Sequence, residues 1–297
     1  LKRLEYHESV IFLIAMSQKL TTTDHSRDIA GLKYVYPVIS RRAGGLSIGI
    51  NFNTNNACNW RCIYCQVPNL VRGAAPEMDF QLLEQELRFF LKQVLEGDFY
   101  QQYQVPKQHQ VIKDIAISGN GEPTSLKGFD RAIELIAKIT TEMKVLPSSQ
   151  FVLITNGSLM HQADVQAGLK IFNKYNGQIW FKLDSATEDG RKKINDSKHS
   201  TAKTIENLKI ASSLCETSLQ TCMVDYLSAK DAELERQAYI DLLKNNAAKI
   251  NKIMLYSLAR ASLQPEAEQL RKVDDQLMNS FADQLKMLGY KVSVTTT

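Results

Sequence analysis

A chain of 297 residues, 44% of them hydrophobic, is long enough to bury one large core or two modest ones. Its 36 basic and 32 acidic residues leave a net charge of +4, too balanced to argue for a nucleic-acid partner by itself. No uninterrupted apolar run approaches the roughly eighteen residues of a membrane span, and five cysteines, an odd number in so long a chain, do not make a disulfide scaffold.

The first forty residues read as an extension. Residues 10–16 form an apolar run after Glu5 and Glu8, without the basic start or small-residue cleavage site of a signal peptide. Met16 followed by polar residues resembles a natural start, so residues 1–15 read as non-native upstream sequence; the alternative is an N-terminal helix packed on the domain. Residues 41–297 read as one domain. Strands are expected over 46–53, 111–118, 151–155, 179–183, 219–224 and 252–258, with a last one over 291–294. Residues 80–95 carry apolar side chains at helical spacing (Leu83, Leu87, Phe90, Leu91, Val94). Further helices are expected over 129–143, 164–175, 201–214, 234–243 and 275–288. Six βα units in succession imply an α/β fold with a parallel sheet and helices outside it. Periodicity alone leaves a full barrel, an open barrel and a doubly wound sheet equally open.

Cys58, Cys62 and Cys65 lie in Ala-Cys-Asn-Trp-Arg-Cys-Ile-Tyr-Cys, a C-x3-C-x2-C spacing. Three close thiols are a metal ligand set with no obvious fourth member. A structural zinc wants four protein ligands, whereas a four-iron cluster held by three thiolates keeps one iron open. By themselves the three could also be reduced surface thiols or half of a zinc site. Their clustering points to a reducing, cytoplasmic compartment. Cys215 and Cys222 read as small buried side chains.

In parallel α/β folds, chemistry gathers at the C-terminal ends of the strands. The second strand ends in Ser118-Gly119-Asn120-Gly121-Glu122-Pro123-Thr124, where two glycines let backbone approach a ligand closely and a carboxylate follows. The third ends in Thr155-Asn156-Gly157. The fourth ends in Lys182-Leu183-Asp184, and alternation puts Lys182 and Asp184 on one face, either over the site or as a strand-end ion pair. Arg260, after the sixth, is an anion anchor or a surface ion pair. Arg72, in the loop 66–76, is a candidate substrate contact. Arg41-Arg42 and Arg191-Lys192-Lys193 read as solvated faces.

The cysteine spacing, with aromatic Tyr64 just before the third cysteine, resembles the radical S-adenosylmethionine (SAM) superfamily. The resemblance implies an open, partial (β/α)6 barrel. It implies a [4Fe–4S] cluster on Cys58, Cys62 and Cys65, with SAM chelating the fourth iron. It gives the SAM side of the site to Tyr64, Ser118, Gly119, Asn120, Gly121, Glu122, Thr155, Asn156, Lys182 and Asp184. The family's Gly-Gly-Glu element stands here as Asn120-Gly121-Glu122, which departs at Asn120. An electron donor of the flavodoxin or ferredoxin type is implied, with a 5′-deoxyadenosyl radical that takes hydrogen from a substrate the sequence does not identify. The stretch from Tyr36 to Asn51, then Lys182-Leu183-Asp184, Lys193-Ile194-Asn195 and Tyr256 to Arg260, is similar to the group related to wyosine synthases. No cysteine precedes Cys58 to hold a second cluster, which weighs against wyosine-type tRNA chemistry. A tRNA-modifying enzyme and a non-catalytic iron–sulfur sensor are the alternatives.

Overall fold

The computed structural model describes residues 19–21, 27, 29–40 and 44–296. The apolar run at 10–16, the start at Met16 and the Arg41-Arg42 pair lie outside the described residues. Eight strands follow one another in chain order across a single sheet: β1 (Val35–Ser40), β2 (Gly45–Ile50), β3 (Ile112–Ile117), β4 (Gln150–Thr155), β5 (Gln178–Lys182), β6 (Glu216–Cys222), β7 (Ile250–Tyr256) and β8 (Val292–Thr295). Strand β1 runs antiparallel to β2, and all later neighbours are parallel. The sheet ends at β1 and β8, which do not pair, so the expected open, partial barrel is the architecture found.

Among the described residues eight α-helices lie between or beside the strands: α1 (Phe80–Leu95), α2 (Phe99–Gln102), α3 (Phe129–Glu142), α4 (Ala163–Lys174), α5 (Glu188–Asn195), α6 (Thr201–Leu214), α7 (Ala229–Asn245) and α8 (Asp275–Met287). Strand alternation decides which side faces them. Leu46, Ile48 and Ile50 of β2, and Ile115 and Ile117 of β3, join Leu83, Leu87, Phe129, Ile133 and Ile136 of the helices in one core. Burying each such side chain stabilises the fold by roughly 1.5–3 kcal/mol. The intervening residues, among them Ser47, Gly49 and Ala116, face the barrel interior and are small or polar.

Four local features depart from the sequence reading. Strand β1 belongs to the sheet, although its Pro37 argues against a strand; Pro is tolerated because β1 is an edge. Helix α5 has one large apolar residue, Ile194, and so no apolar period; it is started by Thr187, whose Oγ1 accepts the Gly190 N–H at 3.0 Å. Helix α7 begins five residues early because Ser228 caps it, accepting the Asp231 N–H at 3.1 Å. Arg191 is a correction: it is 1% exposed, not solvated. Its guanidinium donates to Ala186 O at 2.8 Å and to Thr201 Oγ1 at 2.7 Å, fastening α5 to the start of α6. No helix among the described residues is long and apolar enough to cross a membrane.

Candidate functional site

The inner face of the sheet encloses a cavity of about 390 Å³. Ser118, Gly119, Gly121, Lys182 and Tyr64 all lie on its wall, with Cys65 at the edge of the cysteine loop. Gly49 is glycine for a reason of space: a Cβ there would overlap the Tyr36 ring. Tyr36 in turn shares a 2.9 Å hydrogen bond with Ser118 Oγ. Arg260 also lines this cavity.

The cysteine loop leaves β2 and is fastened at several points. Asn51 Oδ1 accepts the backbone N–H groups of Asn53 and Asn120, both at 3.0 Å, which joins the start of the loop to the turn after β3. Asn120 Nδ2 donates to Asn56 Oδ1 at 2.7 Å. Asn156 Nδ2 donates to Asn59 Oδ1 at 2.8 Å, from the end of β4. The N–H groups of Arg61 and Ile63 donate to the last carbonyls of α5, those of Asn195 at 3.0 Å and Ile194 at 2.9 Å. From the far end of the chain, Ser262 Oγ donates to Ile63 O at 2.7 Å and the Leu263 N–H to Cys65 O at 2.9 Å. Arg72 is used in this framework: it donates to Asn59 O and pairs with Asp196, so it braces the loop and does not line the cavity.

Cys58 senses the charges of Cys62 and Cys65, and Cys62 that of Cys65. Burial pushes Cys58 and Cys62 up to about 12, with Asp184 adding to the effect at Cys62, and burial also raises Cys65. Such thiols ionise when a cation binds them. Two donors already point at the sulfurs: the Trp60 N–H at 3.5 Å from Cys58 Sγ, and Asn195 Nδ2 at 3.2 Å from Cys62 Sγ. No three His, Cys, Asp or Glu side chains among the described residues are grouped tightly enough to hold one ion. A four-iron cluster asks something different, one iron per thiolate. The buried amide oxygens of Asn53, Asn120 and Asn195 have no hydrogen-bond partner, and all three flank the loop. The oxygens of Asn53 and Asn120, beside the Gly119–Gly121 turn, suit a ligand that brings N–H donors, whereas that of Asn195 is set by Asp184. Three thiols, one for each of three irons, with N–H donors aimed at two of the sulfurs, fit an iron–sulfur cluster.

The turn after β3 is built to lie against this loop. A Cβ on Gly119 would strike Asn51, and one on Gly121 would strike Ala57 O and the Asn53 amide. Gly121→Ala is therefore expected to cost about 1–3 kcal/mol through overpacking and to lower iron content in parallel, read by thermal unfolding and iron assay. Glu122 is 2% exposed and does not line the cavity. Its Oε1 accepts from Thr124 N at 3.1 Å, Thr124 Oγ1 at 2.6 Å and Thr155 Oγ1 at 2.6 Å; Oε2 accepts the Asn156 N–H at 2.6 Å. Burial raises its pKa, and these bonds oppose the rise. Glu122 thus ties the ends of β3 and β4 together, and most of its acceptor capacity is taken.

Lys182 lines the cavity and Asp184, beyond the end of the strand, does not; the two form an ion pair at 3.0 Å. Lys182 also donates to Tyr256 OH at 2.5 Å, and its ammonium lies 5.2 Å from the Tyr64 ring centroid and 4.8 Å from that of Tyr256. Burial pulls Lys182 down, but Asp184, then Tyr256 and Cys222, outweigh it and raise its pKa above the ordinary value. Asp184 lies behind the wall, fully buried, where it accepts from Tyr64 OH, from Asn195 Nδ2 at 2.8 Å and from the Cys222 N–H at 2.8 Å. Of the two downstream cysteines, both buried as expected, Cys222 also lines the cavity. Its alternation with Gln220 on β6 was the signal for that. Asn195 is marked only by the Lys193-Ile194-Asn195 resemblance, because it lies on a helix the periodicity does not reveal.

Residues 52–237 match the family described as the Radical SAM superfamily. Among curated proteins, the chain is 27% identical over 135 residues to the GTPase Obg of Brachyspira hyodysenteriae, across 46% of this chain and 17% of that protein. It is 25% identical over 166 residues to a UPF0026 protein of Synechocystis, across 54% of this chain and 52% of that protein. The chain thus spans about half or less of the length of these relatives. Among solved structures, TYW1 with a lysine–pyruvate adduct bound superposes with a TM-score of 0.55 at 16% identity, covering 82% of this chain and 74% of that one. A radical SAM methyltransferase from Sphaerobacter thermophilus gives 0.57 at 12% identity, covering 88% and 68%. At these identities the likeness is one of fold.

Proposed function

The chain belongs to the radical SAM superfamily, and on that premise we propose that it is an enzyme binding a [4Fe–4S] cluster through Cys58, Cys62 and Cys65, with SAM beside it in the barrel cavity. When bound, the pair supplies reductive cleavage of the sulfonium C–S bond, giving methionine and a 5′-deoxyadenosyl radical that takes a hydrogen atom from substrate. The observation that carries this reading is the interlocking of the cysteine loop with the Gly119–Gly121 turn at one cavity, through Asn51, Asn120 and the contact of Gly121 with Ala57. A metal-ligand loop alone would need no such turn.

The protein's own residues have distinct tasks in this scheme. The backbone of Gly119–Gly121 offers close approach to the SAM amine. Glu122 holds that turn and the Asn156 end of β4 at a fixed separation, and Asn156 holds Asn59 of the loop. Lys182 presents a cation to an anionic group of SAM or substrate, and Tyr64 and Tyr256 flank it and exclude water. The related TYW1 structure carries a lysine–pyruvate adduct. Lys182 is the lysine on this cavity's wall, and Asp184 and Tyr256 keep its ammonium protonated, which opposes attack on a carbonyl and favours the role of a fixed cation. The electron comes from a donor of the flavodoxin or ferredoxin class, in the cytoplasm.

The test is anaerobic reconstitution, then dithionite and SAM, with assay for 5′-deoxyadenosine. The expected result is formation of 5′-deoxyadenosine and a shift of the reduced cluster's EPR signal on adding SAM. A four-iron cluster that neither binds nor cleaves SAM would replace the enzyme with a sensor on the same fold. Salt-dependent tRNA binding would instead favour an RNA substrate.

A further inference from the structure

Asn195 ends α5 with its side chain wholly buried, 0% exposed, between the cysteine loop and the Lys182–Asp184 pair. Its Nδ2 lies 2.8 Å from Asp184 Oδ2 and 3.2 Å from Cys62 Sγ. Asp184 forms an ion pair with Lys182 and accepts the Cys222 N–H, so its oxygens act as acceptors. The Asn195 atom facing it must then be the amide nitrogen. The same nitrogen has a second hydrogen, and that hydrogen points at the Cys62 sulfur. The amide oxygen finds no partner. An orphaned buried acceptor is costly, so the orientation is imposed by Asp184 and not by the oxygen's own needs.

The backbone around Asn195 removes the remaining freedom. Its carbonyl accepts the Arg61 N–H at 3.0 Å, and the carbonyl of Ile194 accepts the Ile63 N–H at 2.9 Å. These two bonds bracket Cys62. The donor and the sulfur are thus fixed to each other through both main chain and side chain.

We propose that Asn195 is a positioning residue that sets the reduction potential of the iron–sulfur cluster through an N–H···S bond to Cys62, with its orientation dictated by Asp184. The proposal rests on the cluster reading of the three cysteines. A hydrogen bond to a ligand sulfur draws charge off it and favours the more negative, reduced state. Removing the bond makes the cluster harder to reduce. It should leave ligation intact, because all three thiols remain.

The experiment is an EPR-monitored redox titration of the reconstituted full-length protein, wild type against Asn195→Ala, with iron and sulfide counted in both. The expected result is a full iron complement in the variant and about a tenfold lower ratio of reduced to oxidised cluster at a fixed potential, which is ~59 mV for one electron. An unchanged potential in a fully loaded Asn195→Ala protein overturns the proposal. If that variant fails to load, Asn195→Ser decides, since it retains a donor on the same backbone: loading with a potential between wild type and the expected loss supports the role. Failure of both to load overturns it in favour of a purely structural residue. A wild-type protein that assembles no four-iron cluster would instead overturn the cluster reading itself.

Discussion

Alanine at any one of Cys58, Cys62 or Cys65 is expected to reduce iron–sulfur content and 5′-deoxyadenosine formation to background together. Three thiolates hold three irons with none in reserve. The remaining cysteines cannot substitute. Cys215 is buried on the far side of the sheet, where its thiol donates to Leu169 O at 3.1 Å, and Cys222 belongs to β6, its backbone N–H held by Asp184. Fold should survive these changes better than function, because the loop is fastened by asparagine amides and main-chain bonds and not by the thiols. Near wild-type far-UV circular dichroism with no cluster signal is therefore the expected pair of observations. Cys215→Ala serves as the control and should load normally. A Cys58, Cys62 or Cys65 variant that retained four irons and cleaved SAM at the wild-type rate would remove the assignment.

Asp184→Ala is expected to be the most destabilising single change in the site, by about 3–5 kcal/mol, the range for removing one partner of a buried ion pair. The Lys182 ammonium would stay in the barrel wall without its counter-charge, and the Tyr64 hydroxyl, the Asn195 amide and the Cys222 N–H would each lose an acceptor. For a chain of this size that loss corresponds to a fall in melting temperature of order 10 °C. The cysteine loop should loosen too, since Tyr64 and Asn195 both reach Asp184 from it or from its support. The companion experiment replaces both charges, Lys182→Met with Asp184→Leu. Because the penalty comes from the unpaired charge, the double variant should recover much of the stability, leaving a coupling that a double-mutant cycle measures. If the double variant melts as low as the single, the ion pair is not the source of the cost.

Much of this arrangement can be read from sequence, and the reason is periodicity. Strands with inner residues such as Ser47, Gly49 and Ala116 between outer Leu46, Ile48 and Ile50 announce themselves, as do helices with regular apolar spacing such as α1. The cysteine triplet and the Gly-Asn-Gly-Glu turn are local in sequence, so their spacing is visible before any fold is known. What spacing cannot convey is which side chain meets which across the chain. Glu122 sits next to the glycines, yet its carboxylate serves Thr155 and Asn156 on the next strand. Arg191 belongs to a run of charges, yet it is buried because its guanidinium satisfies backbone carbonyls at the base of its own helix. Helix α5, the bed of the cysteine loop, is polar along most of its length. Its apolar content is too low to mark it, and its helical state comes from the Thr187 cap and from docking.

The fastening of the cysteine loop to the segment 262–266 has a consequence for the order of assembly. The bonds from Ser262 to Ile63 and from Arg61 to Glu266 join residues 199 and 205 positions apart. Contacts so distant in sequence carry a large loop-closure cost and form slowly. During synthesis, N-terminal elements emerge and fold first, so the loop bearing the three thiols leaves the ribosome long before the residues that fasten its C-terminal half. That half is completed only when most of the barrel has been made. Cluster delivery is thereby coupled to synthesis of most of the barrel, and a chain truncated before residue 262 should hold a cluster loosely even though every thiol is present.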